Sequence, residues 1–472
     1  MAVMLVIGIY ASKYIKTTAD FLLAGRRLGV LLTFATLAAT HYGGGFVLGG
    51  SSWGVKYGIG GFWYGFACGL GLIALGLTFA RMSRALALYT VPEILYLRYK
   101  SDAIQSLAAI LSLFALIGII GAQVWAAGAI FEAMGLPGLW GSILAALVFI
   151  AYTAISGLWA VTLTDLVQII VGSAGVLLAT IMAIMVVGGF NGLINKLESI
   201  NELPQPTGMY FNIASPGLSV ITLTLIATVM YTLIGQDFYQ RLFASKDEKT
   251  AFKAAILSGI FLAIISIIPP LSGMAALALS SNPQEIIASP RTAIPKLIMT
   301  VFGPIVGAIF IAAILAAIMS TADSLLTAAT SHIIRDFYFK FINPKASDKY
   351  MLKLSILSTI AIGIFALITA LTVKGIIELL IYSYDIYTAG VFIPLVLGLK
   401  WKRANKEGAL AGMIAGSLVA ILGITGIVSF PYWEIIYVSG ALISLIVMVV
   451  VSLVSKPTVP DIKLLKTLNW KL

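Results

Sequence analysis

The sequence predicts an all-α polytopic membrane protein of about thirteen transmembrane helices, built around an inverted repeat of five plus five helices. Three observations carry this prediction: the composition, the number of long apolar runs, and the way the basic residues sort between them. Of 472 residues, 60% are apolar and 10% charged, and the mean hydropathy is +1.03. Soluble domains average about 45–50% apolar and about 25% charged, so a water-soluble fold is excluded. A single cysteine, Cys68, rules out a disulfide framework and a cysteine-built metal site. The two histidines, His41 and His332, lie too far apart in sequence for a zinc motif.

A helical span needs about 20 mostly apolar residues. Such runs fall near 29–50, 58–80, 103–133, 138–156, 160–188, 215–240, 253–279, 298–333, 354–373, 375–399, 407–428 and 431–454. The run 1–12 precedes them and is short for a span, but no basic segment or A-x-A-like site frames it as a signal peptide. It is counted as a helix.

Alternating back from the C-terminal tail, 25 of the 30 Lys and Arg residues fall on the tail side. The other side holds only Lys56, Lys196, Arg291, Lys296 and Lys374. The positive-inside rule then puts the C-terminus in the cytoplasm and the N-terminus outside, in a multi-pass protein of the cell membrane. The net charge of +11 therefore reflects short membrane-flanking loops and not a nucleic-acid surface.

Glycines recur every fourth residue at Gly61, Gly65 and Gly69, at Gly408, Gly412 and Gly416, and at Gly303 and Gly307, a spacing that lets helices approach closely. Elsewhere the chain reads as broken. Gly43-Gly44-Gly45 lies mid-span, Ile234-Gly235-Gln236-Asp237 interrupts 215–240, and Pro269-Pro270 and Pro394 predict kinks. The first two breaks open successive sets of five helices, and an odd number inverts the second set. Interrupted helices in corresponding positions of two inverted halves point to a transporter binding site. The expected organisation is 1–28, an extra helix and cytoplasmic loop; 29–189, the first repeat; 190–400, the second; and 401–472, two peripheral helices and a cytoplasmic tail.

Ionisable residues inside a span are costly and point to function. Asp165 sits near the start of 160–188, with Gln168 on its face, and reads equally as a helix N-terminal carboxylate or a site. Ser320, Asp323, Ser324 and Thr327 fall on one helix stripe, with Thr321 beside it. Hydroxyls and a carboxylate in an apolar helix suit a hard monovalent cation; serines bonding back to their own helix are the alternative. Asp385 lies among Tyr382, Tyr384 and Tyr387, which form either an interfacial belt or a substrate wall. His41 faces a cavity or packs as a neutral residue. Gln123, mid-span beside Trp125, ordinarily means a helix–helix hydrogen bond. Cys68 and His332 carry no separate signal.

Taken in order, these segments resemble the sodium:solute symporter family. The resemblance spans nearly the whole chain: Asp20-Phe21-Leu22-Leu23-Ala24-Gly25-Arg26-Arg27-Leu28-Gly29, Thr90-Val91-Pro92-Glu93, the stretch from Ile155 to Gln168, Tyr239-Gln240-Arg241, Gly408-Ala409-Leu410-Ala411-Gly412 and, most specific, Ala316-Ala317-Ile318-Met319-Ser320-Thr321-Ala322-Asp323-Ser324. It implies a leucine-transporter-type fold and sodium-coupled uptake by alternating access. It also implies a sodium site made by backbone oxygens of Ala39, Tyr42 and Ala317 and hydroxyls of Ser320 and Thr321. A second cation site in some members matches Asp165, Asp323 and Ser324; here an aspartate, Asp323, replaces a serine, which suits a cation or a proton.

Proline symporters of the family carry an aspartate where His41 stands, and aromatic and proline residues near Val229, Leu233 and Asp237. Choline transporters share the Ala-Thr-x-x-Gly-Gly-Gly break and an aromatic matching Trp125, but their tryptophans at the His41 and Gly235 positions are missing here. The solute is expected to be small and polar, an amino acid such as proline or a similar zwitterion, bound near His41, Gly43, Gly44, Gly45, Gln123, Trp125, Gln236, Asp237, Tyr384 and Asp385. The alternatives are a choline- or betaine-type solute, an organic acid, proton coupling, or passive facilitation. No H-E-x-x-H, G-x-S-x-G or Walker A sequence suggests an enzyme. Sodium, the solute and the lipid bilayer are the expected partners, with no obligate protein partner.

Overall fold

The computed structural model describes residues 2–372, 376–428 and 435–470. Lys374 and Lys471, both counted in the charge sorting, lie outside them. The elements that position the site are α1 (Ala2–Ser12), α2 (Val30–His41), α3 (Gly45–Leu86), α4 (Asp102–Ala133), α5 (Gly138–Val186), α6 (Leu218–Thr232) and α7 (Gln236–Ala244). They continue with α8 (Glu248–Leu279), α9 (Pro290–Ile342), α10 (Asp348–Thr372), α11 (Ile376–Lys400), α12 (Lys406–Ile424) and α13 (Ile435–Val454). Among the described residues there is no strand, only a parallel bridge joining Leu28 to Ser245.

By length and apolarity, seven helices among the described residues can cross a membrane, eight if the bent pair α6–α7 is one span. The expected thirteen crossings divide the same chain more finely, and length and apolarity among the described residues do not reproduce that count. α5 holds the two expected spans 138–156 and 160–188 in one element, whereas α2 is an apolar helix of only 12 residues. The two halves of α5 meet at Gly157, whose φ of 50° and ψ of −142° lie where side-chain-bearing residues are strained. A Cβ there would also stand 2.3 Å from the Phe21 carbonyl oxygen.

The expected close-packing role of Gly303 is corrected. It has φ 69° and ψ −176°, nothing within 4 Å of a Cβ position, and Pro304 follows, so it turns the chain inside α9. The other glycine rows do pack: a Cβ on Gly69 would lie 2.5 Å from the Gly259 carbonyl, and one on Gly416 2.2 Å from that of Ala389. The Pro269-Pro270 kink falls at an interruption between Ile265 and Ile268. α11 instead runs through Pro394 without interruption.

The molecule is apolar outside and polar within. Ile170, Met185, Phe365, Ile368, Leu418 and Ile446 are exposed, whereas Asp165, Arg241, Asp323 and Ser324 are fully buried. Lipid, unlike water, makes that distribution favourable. α9 lies along α4 and α5, while α2 and α7 pack against α9.

Loop ends are fixed by side-chain caps. In the helix Val91–Tyr99, Thr90 and Glu93 form a reciprocal capping box. The same helix carries Arg98, 1% exposed, whose guanidinium donates to the carbonyls of Gly398 (2.5 Å), Ala404 (2.8 Å), Trp401 (3.1 Å) and Lys402 (3.3 Å). It thereby gathers carbonyls at and just after the C-terminus of α11 and complements that end of the helix dipole. Arg98→Ala leaves the Gly398 and Ala404 carbonyls without this donor and costs on the order of 3 kcal/mol. The expected result is a lowered melting temperature of the detergent-purified protein; an unchanged one removes this anchor.

Candidate functional site

Between α2 and α3 the helix opens at Tyr42, Gly43 and Gly44. Tyr42, with φ −78° and ψ 51°, ends α2. The Gly43 N–H donates to the His41 carbonyl at 2.8 Å, and the Gly44 N–H to Gln123 Oε1 at 3.0 Å. In a continuous helix these two amides would go to the carbonyls of Ala39 and Thr40. Those carbonyls are thus released, and each lies 3.2 Å from Thr321 Oγ1 on α9. A hydroxyl has one proton, so Thr321 satisfies one of the two carbonyls at a time. Position 43 must be glycine for this approach, because a Cβ would stand 2.1 Å from Thr321 Oγ1.

The second break, between α6 and α7, bends the chain by 45°. Here the Leu233 and Ile234 carbonyls each have their own hydroxyl: Tyr239 donates to Leu233 at 2.9 Å, and Tyr387 donates to Ile234 at 2.7 Å. Ser320 donates to the Ala317 carbonyl at 2.8 Å, the back-bonding alternative, and keeps its lone pairs.

Asp165 and Asp323 come together one layer away from the first break. Thr36 donates to Asp165 Oδ2 at 2.5 Å, and Tyr152 donates to Asp323 Oδ2. Thr40 donates to the Thr36 carbonyl at 2.7 Å, and its Oγ1 lies 3.4 Å from Ser324 Oγ. Asp165 Oδ1, Asp323 Oδ1 and Gln168 Oε1 are buried without a hydrogen-bond partner among the described residues. Arg241 of α7 is fully buried with them; its Nη1 donates to neutral oxygens, the Asp237 carbonyl (3.0 Å) and Gln240 Oε1 (2.9 Å), and its Nη2 is also without a partner among the described residues. Buried carboxylate oxygens without donors are hard ligands fit for a cation, and the donor set is all oxygen.

A cavity of about 660 Å³ runs from the first break to the turn at Ala288–Arg291. His41, Gly43, Gly44, Gly45, Gln123, Trp125, Asp237 and Tyr384 line it, together with Thr321. His41 both faces the cavity and packs: its ring lies 4.4 Å from that of Phe238, and Nε2 is 3.2 Å from Thr232 Oγ1. Tyr384 stacks on Tyr231 at 4.2 Å, and the Tyr231 hydroxyl donates to Asp237 Oδ1 at 3.2 Å. Tyr384 and Tyr387 are therefore internal and not an interfacial belt.

Two expected solute contacts are not in the cavity. The Gln236 side chain turns away, accepting from the Val91 N–H (2.8 Å) and donating to the Tyr89 carbonyl (2.9 Å) and Ser331 Oγ (3.1 Å). It pins the loop before Val91–Tyr99 to α9. Asp385 is buried on α11 outside the cavity lining. Away from the break, all nine residues of α7 are buried, including Arg241.

Sequence reading missed Tyr231, Phe238 and Arg291, which line the cavity from positions without a local pattern. It also missed a buried chain through His332, whose Nδ1 pairs with Asp336 Oδ2 at 2.7 Å and Nε2 with Ser112 Oγ at 2.8 Å. That order resembles a hydrolytic triad, but none of the three lines the cavity. Thr90 and Gln105 also donate to Asp336, so the chain ties α4 to α9 and to the loop before Val91–Tyr99.

The fold and site can be set beside known proteins. An osmoregulated proline transporter of Bacillus subtilis (strain 168) is 28% identical over 480 residues, covering 96% of this chain and 93% of its own. A sodium/pantothenate symporter of Escherichia coli (strain K12) is 29% identical over 428 residues, covering 88% and 86%. The substrate-bound, outward-open structure of a Na+-coupled sialic acid symporter superposes with a TM-score of 0.85 at 21% identity, covering 97% of this chain and 96% of that one. The family model described as "Sodium:solute symporter family" matches residues 21–416. With that match over most of its length, the chain belongs to the sodium:solute symporter family.

Proposed function

We propose that this transporter imports a small polar zwitterion, an amino acid such as proline, together with sodium by alternating access through the cavity at the first break. Family membership makes it a transporter and not an enzyme. The observation that carries the reading is that Thr321 lines the cavity and also holds the released carbonyls of Ala39 and Thr40. Sodium seated among Ala39, Tyr42, Ala317, Ser320 and Thr321 would fix the same backbone that bounds the solute. A ligand shifts a conformational equilibrium only by its differential affinity for the two states, and this shared backbone supplies one.

A zwitterion is supported by relatives named for proline, and a carboxylate on the solute also by one named for pantothenate, an anion. Asp165, Asp323 and Ser324 form a second cation site in this reading, or one that takes a proton, favoured by their unpartnered buried oxygens. With the C-terminus in the cytoplasm by the positive-inside rule, the turn at Ala288–Arg291 falls on the outer side, so the cavity that reaches it opens outward and the buried α7 closes the inner side. The core is the two five-helix repeats 29–189 and 190–400, with 1–28 and 401–472 peripheral.

Proteoliposomes with an imposed inward sodium gradient are expected to accumulate labelled proline or a related zwitterion. Equal uptake without the gradient would identify a passive facilitator. Replacing both Ser320 and Thr321 by Ala abolishes the sodium dependence; retained dependence places the ion elsewhere. Gly43→Ala raises the sodium concentration for half-maximal uptake by about tenfold or more, because the methyl group displaces Thr321. Gly29→Ala, where nothing lies within 4 Å of the Cβ position, leaves it unchanged and serves as the control. Asp323→Asn removes one charge from the second site, and the number of sodium ions per solute or the pH dependence of uptake changes. Both remaining as in the unmodified protein would make Asp323 purely structural.

A further inference from the structure

Arg291 is the one lysine or arginine among the residues lining the cavity, and nothing so far gives it a task. It sits in a short turn, Pro290–Thr292, closed by the Thr292 N–H and hydroxyl on the Ser289 carbonyl at 3.0 and 2.8 Å. One face of its guanidinium stacks on Trp125, 3.9 Å from the ring centroid. Its Nη2 donates to Glu132 Oε2 at 3.3 Å, at the long end of hydrogen bonding, and its Nε–H is buried without a partner among the described residues. Trp125 and Glu132 stand seven residues apart, two turns along one face of α4.

The guanidinium is therefore oriented by a ring, loosely held by a carboxylate that is 52% exposed, and left with donors to spare. Rim ion pairs of this kind are weak and readily exchanged. A planar fork with unused N–H groups suits bidentate recognition of a carboxylate. The same geometry disfavours a quaternary ammonium at this wall, since the face of Trp125 already carries a cation. The one carboxylate lining the cavity, Asp237, belongs to the second break, held by Tyr231, so the two opposite charges come from different elements.

We propose that Arg291 is the counter-ion for a carboxylate of the transported solute, and that Glu132 is the internal carboxylate the solute displaces. This rests on the cavity being the solute site, and names the anionic group of that solute. Arg291 is thus a specificity-determining residue, and Glu132 is its competitor.

The test measures binding to the purified full chain at saturating sodium, using proline and pantothenate against counterparts whose carboxylate is replaced by an uncharged group, prolinamide and panthenol. In the unmodified protein at least one acid binds, about tenfold or more tightly than its carboxylate-free counterpart. Arg291→Gln weakens the acid by that factor and does not weaken the carboxylate-free counterpart, and Arg291→Lys falls between. Glu132→Gln tightens the acid by up to about fivefold. Sodium-induced stabilisation that survives in Arg291→Gln shows that the variant is folded.

Equal binding of acid and carboxylate-free forms, binding of neither acid, or an unaltered ratio in Arg291→Gln overturns the proposal. So does weakening by Glu132→Gln, which would make the pair a structural latch. Loss of sodium-gradient dependence with the Arg291 effect intact removes symport and leaves the carboxylate site standing. Gradient-driven uptake with no Arg291 effect does the reverse.

Discussion

A backbone amide or carbonyl freed inside a bilayer finds no water, so each one must be answered by protein. At the first break that requirement fixes several otherwise unrelated positions. Gly44 demands an acceptor, so α4 carries Gln123 at that depth. Ala39 and Thr40 demand a donor, so α9 carries Thr321 there. The approach of Thr321 in turn forbids any side chain at Gly43. Two helices distant in sequence, α4 and α9, are thereby set around the opening between α2 and α3, and the cavity begins there.

The two breaks differ in how hydroxyls meet the carbonyls they free. Tyr239 and Tyr387 each give one proton to one carbonyl at the second break. Thr321 divides a single proton between two carbonyls at the first. A cation seated there would let the hydroxyl turn its lone pairs inward with the carbonyls, which is what an oxygen site for sodium requires. The Asp165–Asp323 cluster holds carboxylate oxygens without a hydrogen-bond partner among the described residues, beside an arginine, Arg241, whose Nη1 goes to neutral oxygens and whose Nη2 is likewise unpartnered there. Both sites border α2, so an ion at either constrains the segment that also bounds the solute.

The apolar runs, both breaks and the Ser320–Thr327 stripe are legible because each is a local pattern, periodicity interrupted or a polar row in an apolar helix. What escaped depends on tertiary partners. Gln236 sits at a break and reads as a cavity residue, but its direction is set by Tyr89 and Val91, about 145 residues away. Gly303 shares its spacing with packing glycines, and only its positive φ marks it as a turn. Ser112 and His332 are 220 residues apart. Arg291 counted in the sequence only as a charge on the sparse side, because nothing local announces that its turn folds over Trp125. The missing signal in each case is long-range contact, which neither composition nor period encodes.

Coupling through the first break is tested most directly by equilibrium binding of radioactive sodium to the purified protein, with and without a transported solute. Linkage is reciprocal, so the factor by which the solute tightens sodium must equal the factor by which sodium tightens the solute. Shared backbone at Ala39–Gly44 predicts a factor of about five or more in both directions, lost in Thr321→Ala. Sodium affinity that is the same with and without solute would contradict it.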